Sequence, residues 1–374
     1  MEGMLNHYRQ IDIIRNADRN FIENTGIIPY DISHWNAGNE YKKIIMQLLN
    51  LPTITDYMDY KYSYSFNSEL KSKILMKHNL PNSEVVFFNS ATSAISTICT
   101  TLKAMSFRKI CLLCPAYFSV YESFKILNFD VKCINYKYDG KYHIPFEMIE
   151  KEAEIIWITQ PVFSTGTYID DSELQKLFNM PQIIICDGSM CNAINSQSNF
   201  IADCNKNIFL YSPQKIIGLN CMKFCYVLCN SIIAKKIEDW GDVVAGGLLS
   251  SSMMAIKHYL SPNYVSCLNA HNKYIHKSHS IIDSVILNNN ECISKCGQSL
   301  NNTYETLTIN QFPFTTNVSL DFMYNFICKT HVTLLPGCVN GFDYQNGFCF
   351  RINHTLDIMS NYAALNRIIS SLHD

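Results

Sequence analysis

Short apolar runs alternate with helix-like segments through the middle of the chain, and this alternation restricts the fold more than any other feature. The helix-like segments begin at Ala91 and cover 121–127 and Asp171–Phe178. Apolar strands that alternate with helices predict a mainly parallel sheet with helices on both faces. Ligands of such sheets bind at the carboxyl ends of the strands, so the residues directly after each run are candidates for chemistry. The apolar runs are Glu84–Phe88, 109–113, 131–135, Ile155–Thr159, 182–186, Ile208–Tyr211 and 224–229.

The strand signals weaken after about Ser261 and return at 334–337 and Phe348–Asn353. A chain of 374 residues has room for one large domain and a smaller one. We therefore expect a large domain over 51–265 and a smaller α/β C-terminal domain over 266–374. An N-terminal segment, 1–50, is expected to join the small domain.

Charge and composition exclude several classes of protein. The formal charge is 30 − 32 = −2, which gives no electrostatic reason to expect nucleic acid as a partner. No stretch approaches 18 consecutive apolar residues, so we expect no membrane span, and the first 20 residues lack the apolar core of a signal peptide. The expected compartment is the cytoplasm, where the sixteen cysteines would be reduced thiols. No histidines accompany the cysteines at zinc-finger spacing, so no structural metal is predicted.

Small and aromatic residues follow the first two apolar runs. Ser90, Ala91 and Thr92 open a helix, where backbone N–H groups and the helix dipole would hold a phosphate. An ordinary serine N-cap is the alternative for the same residues. Tyr117 follows the second run and places an aromatic ring at the same edge of the sheet.

Charged side chains follow the later runs. Asp187 directly follows the run at 182–186, and Lys215 comes four residues after Tyr211. Arg351 lies in the apolar sequence FCFRINH, where a guanidinium needs an anionic partner. A phosphate site, an aromatic ring, an acid and a lysine together are what a pyridoxal phosphate (PLP) site requires. Lysine forms the Schiff base, aspartate keeps the pyridine nitrogen protonated, and a distant arginine binds a carboxylate.

At these residues the sequence resembles the fold-type I PLP-dependent enzymes, specifically the class I/II aminotransferases. The resemblance runs from about Pro29 to the C-terminus, with all motifs in the family's order. The matching motifs are the phosphate-binding Ser90-Ala91-Thr92, the stacking Tyr117 in Pro115-Ala116-Tyr117, the pyridine-nitrogen Asp187, Ser212 with Lys215 and Gly218, the phosphate-binding position Lys223, and Leu335-Pro336-Gly337 leading to Arg351.

The resemblance also implies an architecture and further contacts. The family's enzymes are two-domain homodimers that bind PLP and an amino acid at the dimer interface. One tyrosine crosses that interface to the neighbouring phosphate, and the sequence does not choose between Tyr60, Tyr62 and Tyr64. The segment Asp31–Gly38 resembles the part of the chain that covers the substrate. His34, Trp35 and Gly38 are thus candidate substrate contacts; alternatively Trp35 anchors the N-terminal segment and His34 is solvated.

Three positions depart from the family's pattern. Phe163 replaces the asparagine that binds the phenolic oxygen of the cofactor, and Met190 replaces the tyrosine that shares this task. Lys223 replaces an arginine, which keeps the charge but loses the planar fork. The candidates for replacing the lost donors are Gln160, Tyr168 and Asn192.

The function that these residues indicate is a PLP-dependent enzyme that acts on an α-amino acid through Lys215, with transamination as the main expectation. The altered surroundings of the phenolic oxygen leave elimination or replacement, cyclisation, oxidation or decarboxylation open. A non-catalytic binding descendant is the third possibility, and it would have no physical need for Lys215, Asp187 and Arg351 together. The sequence does not identify which amino acid is the substrate.

Overall fold

The structure is a computed structural model that describes residues 7–51, 68–80, 82–191, 206–297, 302–310, 318–342 and 347–373. The candidates Tyr60, Tyr62, Tyr64 and Asn192 lie outside the described residues.

Helices and strands alternate along the chain as the apolar runs predict. The helices are α1 (His7–Thr25), α2 (Asn39–Leu48), α3 (Ser68–His78), α4 (Ala91–Ala104), α5 (Phe118–Ile126), α6 (Asp171–Phe178), α7 (Pro213–Ile216), α8 (Ser231–Val244), α9 (Ser250–Tyr259), α10 (Pro262–Asn288), α11 (Leu320–Thr330) and α12 (Ile358–His373). The strands are β1 (Tyr30–Asp31), β2 (Glu84–Phe88), β3 (Lys109–Cys114), β4 (Asp130–Asn135), β5 (Lys137–Tyr138), β6 (Tyr142–His143), β7 (Ile155–Thr159), β8 (Ile183–Asp187), β9 (Ile208–Tyr211), β10 (Cys225–Cys229), β11 (Ile293–Lys295), β12 (Tyr304–Ile309), β13 (Val332–Thr333), β14 (Leu335–Pro336) and β15 (Phe348–Asn353).

The seven predicted apolar runs form one seven-stranded sheet in the order β2-β10-β9-β8-β7-β3-β4. Strands β9, β8, β7, β3 and β4 are parallel to one another, which confirms the mainly parallel sheet. Strand β10 runs antiparallel to both β9 and β2. Its connection from β9, over 212–224, contains only the four-residue helix α7, whereas the crossover between two parallel strands is usually a full helix.

Six strands of the large sheet bury both of their faces, whereas the edge strand β4 is only partly buried. Successive residues point to opposite faces of a strand, so Val85 and Phe87 pack into one core layer while Val86 and Phe88 pack into the other. Ile156 and Trp157 divide in the same way between the two layers. Helices cover both layers, which is why the strands read as continuous apolar runs rather than as alternating ones.

A second, antiparallel sheet in the order β11-β12-β15-β14 forms the smaller unit. Its core includes Ile14, Ala17 and Phe21 of α1, so the N-terminal helix packs on this unit. Strand β1 also pairs with β13. Helix α10 runs without interruption across the predicted boundary at 265/266, and the exact domain limits stay a prediction. In the described part of the chain, no helix combines the length and apolar character needed to cross a bilayer.

Candidate active site

The carboxyl ends of β7 and β8 lie at the floor of a cavity of about 270 Å³. Thr159 and Asp187 are the last residues of these strands and lie opposite each other in the parallel register. The next strand in the sheet, β9, ends one turn before Lys215. The cavity is lined by Trp35, Asn36, Ala91, Tyr117, Thr159, Phe163, Asp187, Ser189, Met190, Lys215, Asn220, Lys223 and Tyr304.

Asp187 is a buried carboxylate without an ion pair among the described residues. Its side chain is 3% exposed, and its Oδ1 accepts a hydrogen bond from the backbone N–H of Ser189 at 3.0 Å. Burial raises the pKa of this carboxyl, while hydrogen bonding from Ser189 and the charge of Lys215 oppose the rise. A buried acid in this condition is suited to a cationic group that enters the cavity.

Lys215 extends its amine into the same cavity. Its Nζ lies 5.5 Å from the centre of the Tyr117 ring. Burial lowers the pKa of the amine, the charge of Asp187 opposes this, and Lys223 adds to the lowering. A larger neutral fraction makes the amine a better nucleophile toward an aldehyde. Gly218 ends the turn at φ +71°, where a Cβ would lie 3.1 Å from the ring of Tyr41.

The start of α4 faces the cavity through Ala91, and Lys223 adds a positive charge to the lining. Ser90 caps this helix: its Oγ accepts from Ser93 N at 3.1 Å, and its own N–H donates to Ser93 Oγ at 3.1 Å. The Ser90 side chain therefore acts as an ordinary N-cap, as the alternative interpretation of the sequence expected. The N–H groups of Ala91 and Thr92 at the first turn remain outside this capping box, so a phosphate would be bound by backbone and by Lys223.

Two residues expected to bind the cofactor are engaged elsewhere and do not line the cavity. The hydroxyl of Ser212 donates to the carbonyl of Phe224 at 2.9 Å. The amide of Gln160 bonds both the N–H and the carbonyl of Ile169, each at 3.3 Å, and so fixes the following turn. Tyr168 lies near Cys191, with its hydroxyl 3.7 Å from that sulfur.

Arg351 is 1% exposed in the middle of β15, and it has no ion pair with any described residue. One guanidinium nitrogen donates to the carbonyl of Ser33, whereas Nε and Nη1 are buried without a hydrogen-bond partner. Burial lowers the pKa of the guanidinium to about 10, so it stays charged at neutral pH. Unpartnered donors on a buried cation are costly, and a carboxylate that bonds the guanidinium would reduce this cost.

The segment over 31–38 covers Arg351, and its residues differ in what they contact. Trp35 lines the cavity, and the guanidinium lies over its ring, with 3.6 Å from Cζ to the ring centre. The imidazole Nε2 of His34 lies 2.7 Å from Asp31 Oδ2 at the surface. Gly38 does not line the cavity; a Cβ there would lie 2.4 Å from the backbone nitrogen of Asp357, so the glycine permits a close approach of two chain segments.

Several residues that line the cavity lie outside the motifs that the sequence analysis singled out. Tyr304 contacts both Trp35 and Arg351, at 5.1 Å between ring centres and 5.0 Å to Cζ. Asn220 donates to the carbonyl of Trp35 at 3.0 Å. Thr159 carries a buried hydroxyl without a partner, and a polar residue at the end of an apolar run is a signal that identifies it. Tyr304 is one strand residue among many, so only its packing reveals it.

The side chains present fit PLP. The unpaired Asp187 suits a protonated pyridine nitrogen, Tyr117 offers a ring face, and Lys215 offers an amine. The first turn of α4 with Lys223 suits a phosphate. Phe163 and Met190 line the cavity where the family has an asparagine and a tyrosine, so these two side chains offer no hydrogen bond to a phenolic oxygen.

A second group of titratable side chains lies inside the small unit. Among the described residues, His279, Glu305 and His354 alone bring their ligand atoms within metal-binding range, all within 4.8 Å of one another. The two imidazole rings are stacked with centres 3.6 Å apart and planes at 28°, so a metal in the plane of one ring would lie far from the plane of the other. Lys295 already lies 3.0 Å from Glu305. This cluster is a buried ion pair flanked by neutral histidines.

Comparison with known proteins agrees with the geometry. The solved structures that resemble the chain include YbdL from Escherichia coli, reported with a methionine aminotransferase function (11% identity, 97% of this chain and 96% of that chain, TM-score 0.71). Aspartate aminotransferase from Thermotoga maritima is similar (12% identity, 97% and 96%, TM-score 0.73), as is the aromatic aminotransferase from Pyrococcus horikoshii OT3 (13%, 95% and 98%, TM-score 0.74). At these identities the likeness shows the fold.

A search of curated protein sequences finds no match. The sequence model of the family described as aminotransferase class I and II matches residues 24–255, which is more than half of the chain. The chain belongs to the class I and II aminotransferases.

Proposed function

We propose that the chain is a PLP-dependent aminotransferase that acts on an α-amino acid. The observation that carries the proposal is that one cavity holds a buried carboxylate without an ion pair, Asp187, and a lysine amine with a lowered pKa, Lys215. When PLP is bound through the amine of Lys215, it supplies an electron sink for the bonds at the α-carbon of the substrate.

Each residue of this chain has a part in that reaction. Asp187 holds a proton on the pyridine nitrogen, and Tyr117 packs against the ring face. Backbone N–H groups at Ala91 and Thr92, together with Lys223, bind the phosphate. Once the amine of Lys215 is released, it is the base that removes the α-proton and returns a proton later, because it lies in the cavity and its pKa is lowered. Arg351 binds the α-carboxylate in a bidentate pair and orients the bond that breaks.

A different reaction of the same cofactor is the second candidate, and one observation favours it. Phe163 and Met190 line the cavity at the positions where the family's asparagine and tyrosine bind the phenolic oxygen. Without these donors, the pKa of the cofactor–lysine linkage would be higher than in the family's typical enzymes, because nothing at these positions stabilises the phenolate. Elimination or replacement, cyclisation, oxidation and decarboxylation are the reactions in question.

The proposal includes a homodimer in the cytoplasm, with the active site at the interface between subunits. The dimer and its interface rest on the family assignment, because class I and II enzymes share this architecture. Light scattering of the purified protein would give the mass of a dimer at micromolar concentration. A monomeric mass in a sample that binds PLP and turns over an amino acid would contradict this part.

The experiment that tests the function uses a panel of amino acids with and without 2-oxoglutarate, with products identified by mass spectrometry. An aminotransferase converts one amino acid to its 2-oxo acid only when the acceptor is present, and it forms glutamate. Products that form without the acceptor would favour the second candidate. The matched control is Lys215→Ala, which should lose the visible absorbance of bound PLP and nearly all turnover. Full activity in that variant would exclude the proposal.

A further inference from the structure

The backbone turn that carries Lys215 is too short to hold its own shape. Helix α7 spans only Pro213–Ile216, and a single helical turn is unstable without tertiary contacts. Within the described part of the chain, the Nζ of Lys215 makes no hydrogen bond and no ion pair. The direction of the amine is therefore set by whatever fixes the backbone of this turn.

Gln214, the neighbour of Lys215, is a completely buried residue of the turn with a polar side chain. Its Nε2 donates to the carbonyl of Ala255 at 2.8 Å and lies 3.2 Å from Nδ1 of His258. Only the NH₂ group can face the carbonyl of Ala255, since the amide oxygen would meet another acceptor there. The second hydrogen of the same NH₂ group then points to His258, whose Nδ1 must be the acceptor.

The other nitrogen of the His258 ring continues this chain of hydrogen bonds, in which each group donates to the next. Its Nε2 lies 3.0 Å from Oδ1 of Asn263 and must donate to it, because that oxygen can only accept. The same oxygen accepts from the N–H of Asn50 at 3.1 Å, and Nδ2 of Asn263 donates to the carbonyl of Leu48 at 2.7 Å. These bonds fix His258 as the neutral Nε2–H tautomer. Burial lowers the pKa of this imidazole, which agrees with the neutral form.

We propose that Gln214 is a positioning residue for Lys215, and that neutral His258, held by Asn263, keeps Gln214 in the orientation that aims the lysine amine into the cavity. The catalytic importance of this positioning rests on the proposed function. The placement of the amine itself can be measured in the cofactor-free protein. Other anchors of the turn act on its backbone from outside: the hydroxyl of Tyr264 donates to the carbonyl of Pro213 at 2.9 Å, and that of Thr303 to Ile216 at 3.2 Å. Gln214 is the anchor within the turn itself.

The first test measures the amine in the cofactor-free protein. The pH dependence of Lys215 acetylation by a trace of acetic anhydride, read by peptide mass spectrometry, gives the pKa of the amine. Gln214→Leu should raise this pKa by about one unit, because a loosened turn lets water reach the amine. The control is Thr330→Val, which removes two hydrogen bonds at a buried site of the small unit, to Phe326 and from Val332. An equal pKa of Lys215 in wild type and Gln214→Leu would overturn the proposal, whether or not the protein binds PLP.

The second test separates positioning from stability. An asparagine at 258 can place its amide oxygen where Nδ1 accepts from Gln214, whereas a glutamine reaches toward Asn263 instead. His258→Asn should therefore keep the pKa of Lys215 near the wild-type value, and His258→Gln should shift it as Gln214→Leu does. In the loaded enzyme Gln214→Leu and His258→Gln should lower kcat by about tenfold or more, with the KM for the amino acid changed little, whereas His258→Asn should keep kcat near the wild-type value. Equal pKa values in the two His258 variants would overturn the role of His258.

Discussion

The guanidinium of Arg351 lies against the face of the Trp35 indole, with 3.6 Å from Cζ to the ring centre. Trp35 lines the cavity and is 37% exposed, whereas Arg351 is 1% exposed. A desolvated cation–π contact of this kind contributes about 2 kcal/mol. It leaves Nε and Nη1 without partners, so a carboxylate that reaches the guanidinium adds charge-assisted bonds to a cation already held in place.

Arg351→Lys should therefore lower kcat/KM for the amino-acid substrate by about 2–4 kcal/mol of transition-state stabilisation. Lysine keeps the charge but loses the planar fork and most of the stacking on Trp35. Steady-state kinetics and the visible absorbance of bound PLP are the measurements. The variant should fold and hold the cofactor. If it unfolds or loses PLP while the remaining kinetics are normal, Arg351 is a structural residue and an α-amino acid substrate loses its main support.

Asp187→Asn should stabilise the cofactor-free protein at pH 7 while it abolishes function. The pKa of Asp187 is raised in the folded state, so the folded protein binds this proton more tightly than the unfolded chain does. Stability from this group is present at low pH and is lost as the pH rises from the ordinary value of the carboxyl through the raised pKa. Asparagine removes that loss because it cannot ionise.

Urea denaturation of the cofactor-free variant and wild type at pH 7 and pH 4 measures this effect. The difference in unfolding free energy should be larger at pH 7 than at pH 4. PLP titration should show much weaker binding to the variant. A less stable variant at pH 7 would mean that Asp187 has a favourable partner in the folded chain.

The buried histidines should make the protein sensitive to acid. The pKa is lowered to about 4 for His78 and His279, and to about 3 for His271 and His354, chiefly by burial. The unfolded chain takes up these protons near pH 6.5, so the stability they provide is present above pH 6.5 and is lost as the pH falls toward 4. Each proton contributes up to about 1.4 kcal/mol per pH unit in this range.

The urea concentration at the midpoint of unfolding should accordingly decrease as the pH is lowered from 7 to 5. His271→Gln should flatten the profile by about one proton, since His271 is completely buried. The control is His143→Gln at a partly exposed site, where Glu173 raises the pKa of the imidazole and the sign is opposite. A midpoint of urea unfolding that does not change from pH 7 to pH 5 would contradict the prediction that these histidines are buried in the neutral form.

Lys295→Met should destabilise the small unit by about 3–5 kcal/mol, because it leaves the buried Glu305 without its cation. Glu305 is 1% exposed and lies 3.0 Å from Nζ of Lys295, which also bonds Asp283. Combining Lys295→Met with Glu305→Gln should recover most of the loss, since the amide carries no charge. Denaturant unfolding measures both variants. A single variant as stable as the double would show that Glu305 does not depend on Lys295 for its burial.

The sequence alone predicts the large sheet, because burial on both faces requires continuous apolar runs and the runs are visible without any structure. It also predicts that Asp187 and Lys215 lie at the same edge of the sheet, since the carboxyl ends of parallel strands meet at one edge; the structure shows that the two strands before them, β8 and β9, are neighbours. The antiparallel direction of β10 has no apolar signature, and only its pairing with β9 and β2 in the folded chain shows it.

Only the tertiary structure determines which polar groups near the site are already hydrogen-bonded to other parts of the chain. Ser212 and Gln160 carry suitable groups in suitable places along the chain, but the hydroxyl is bonded to Phe224 and the amide to Ile169. Tyr304 contributes to the site from a strand more than a hundred residues away from Asp187 in sequence. Sequence periodicity indicates which face of an element is buried, because the hydrophobicity of each side chain favours or opposes its own burial. Hydrogen-bond pairing between distant segments depends on their final separation and orientation, and these exist only once the whole chain has packed.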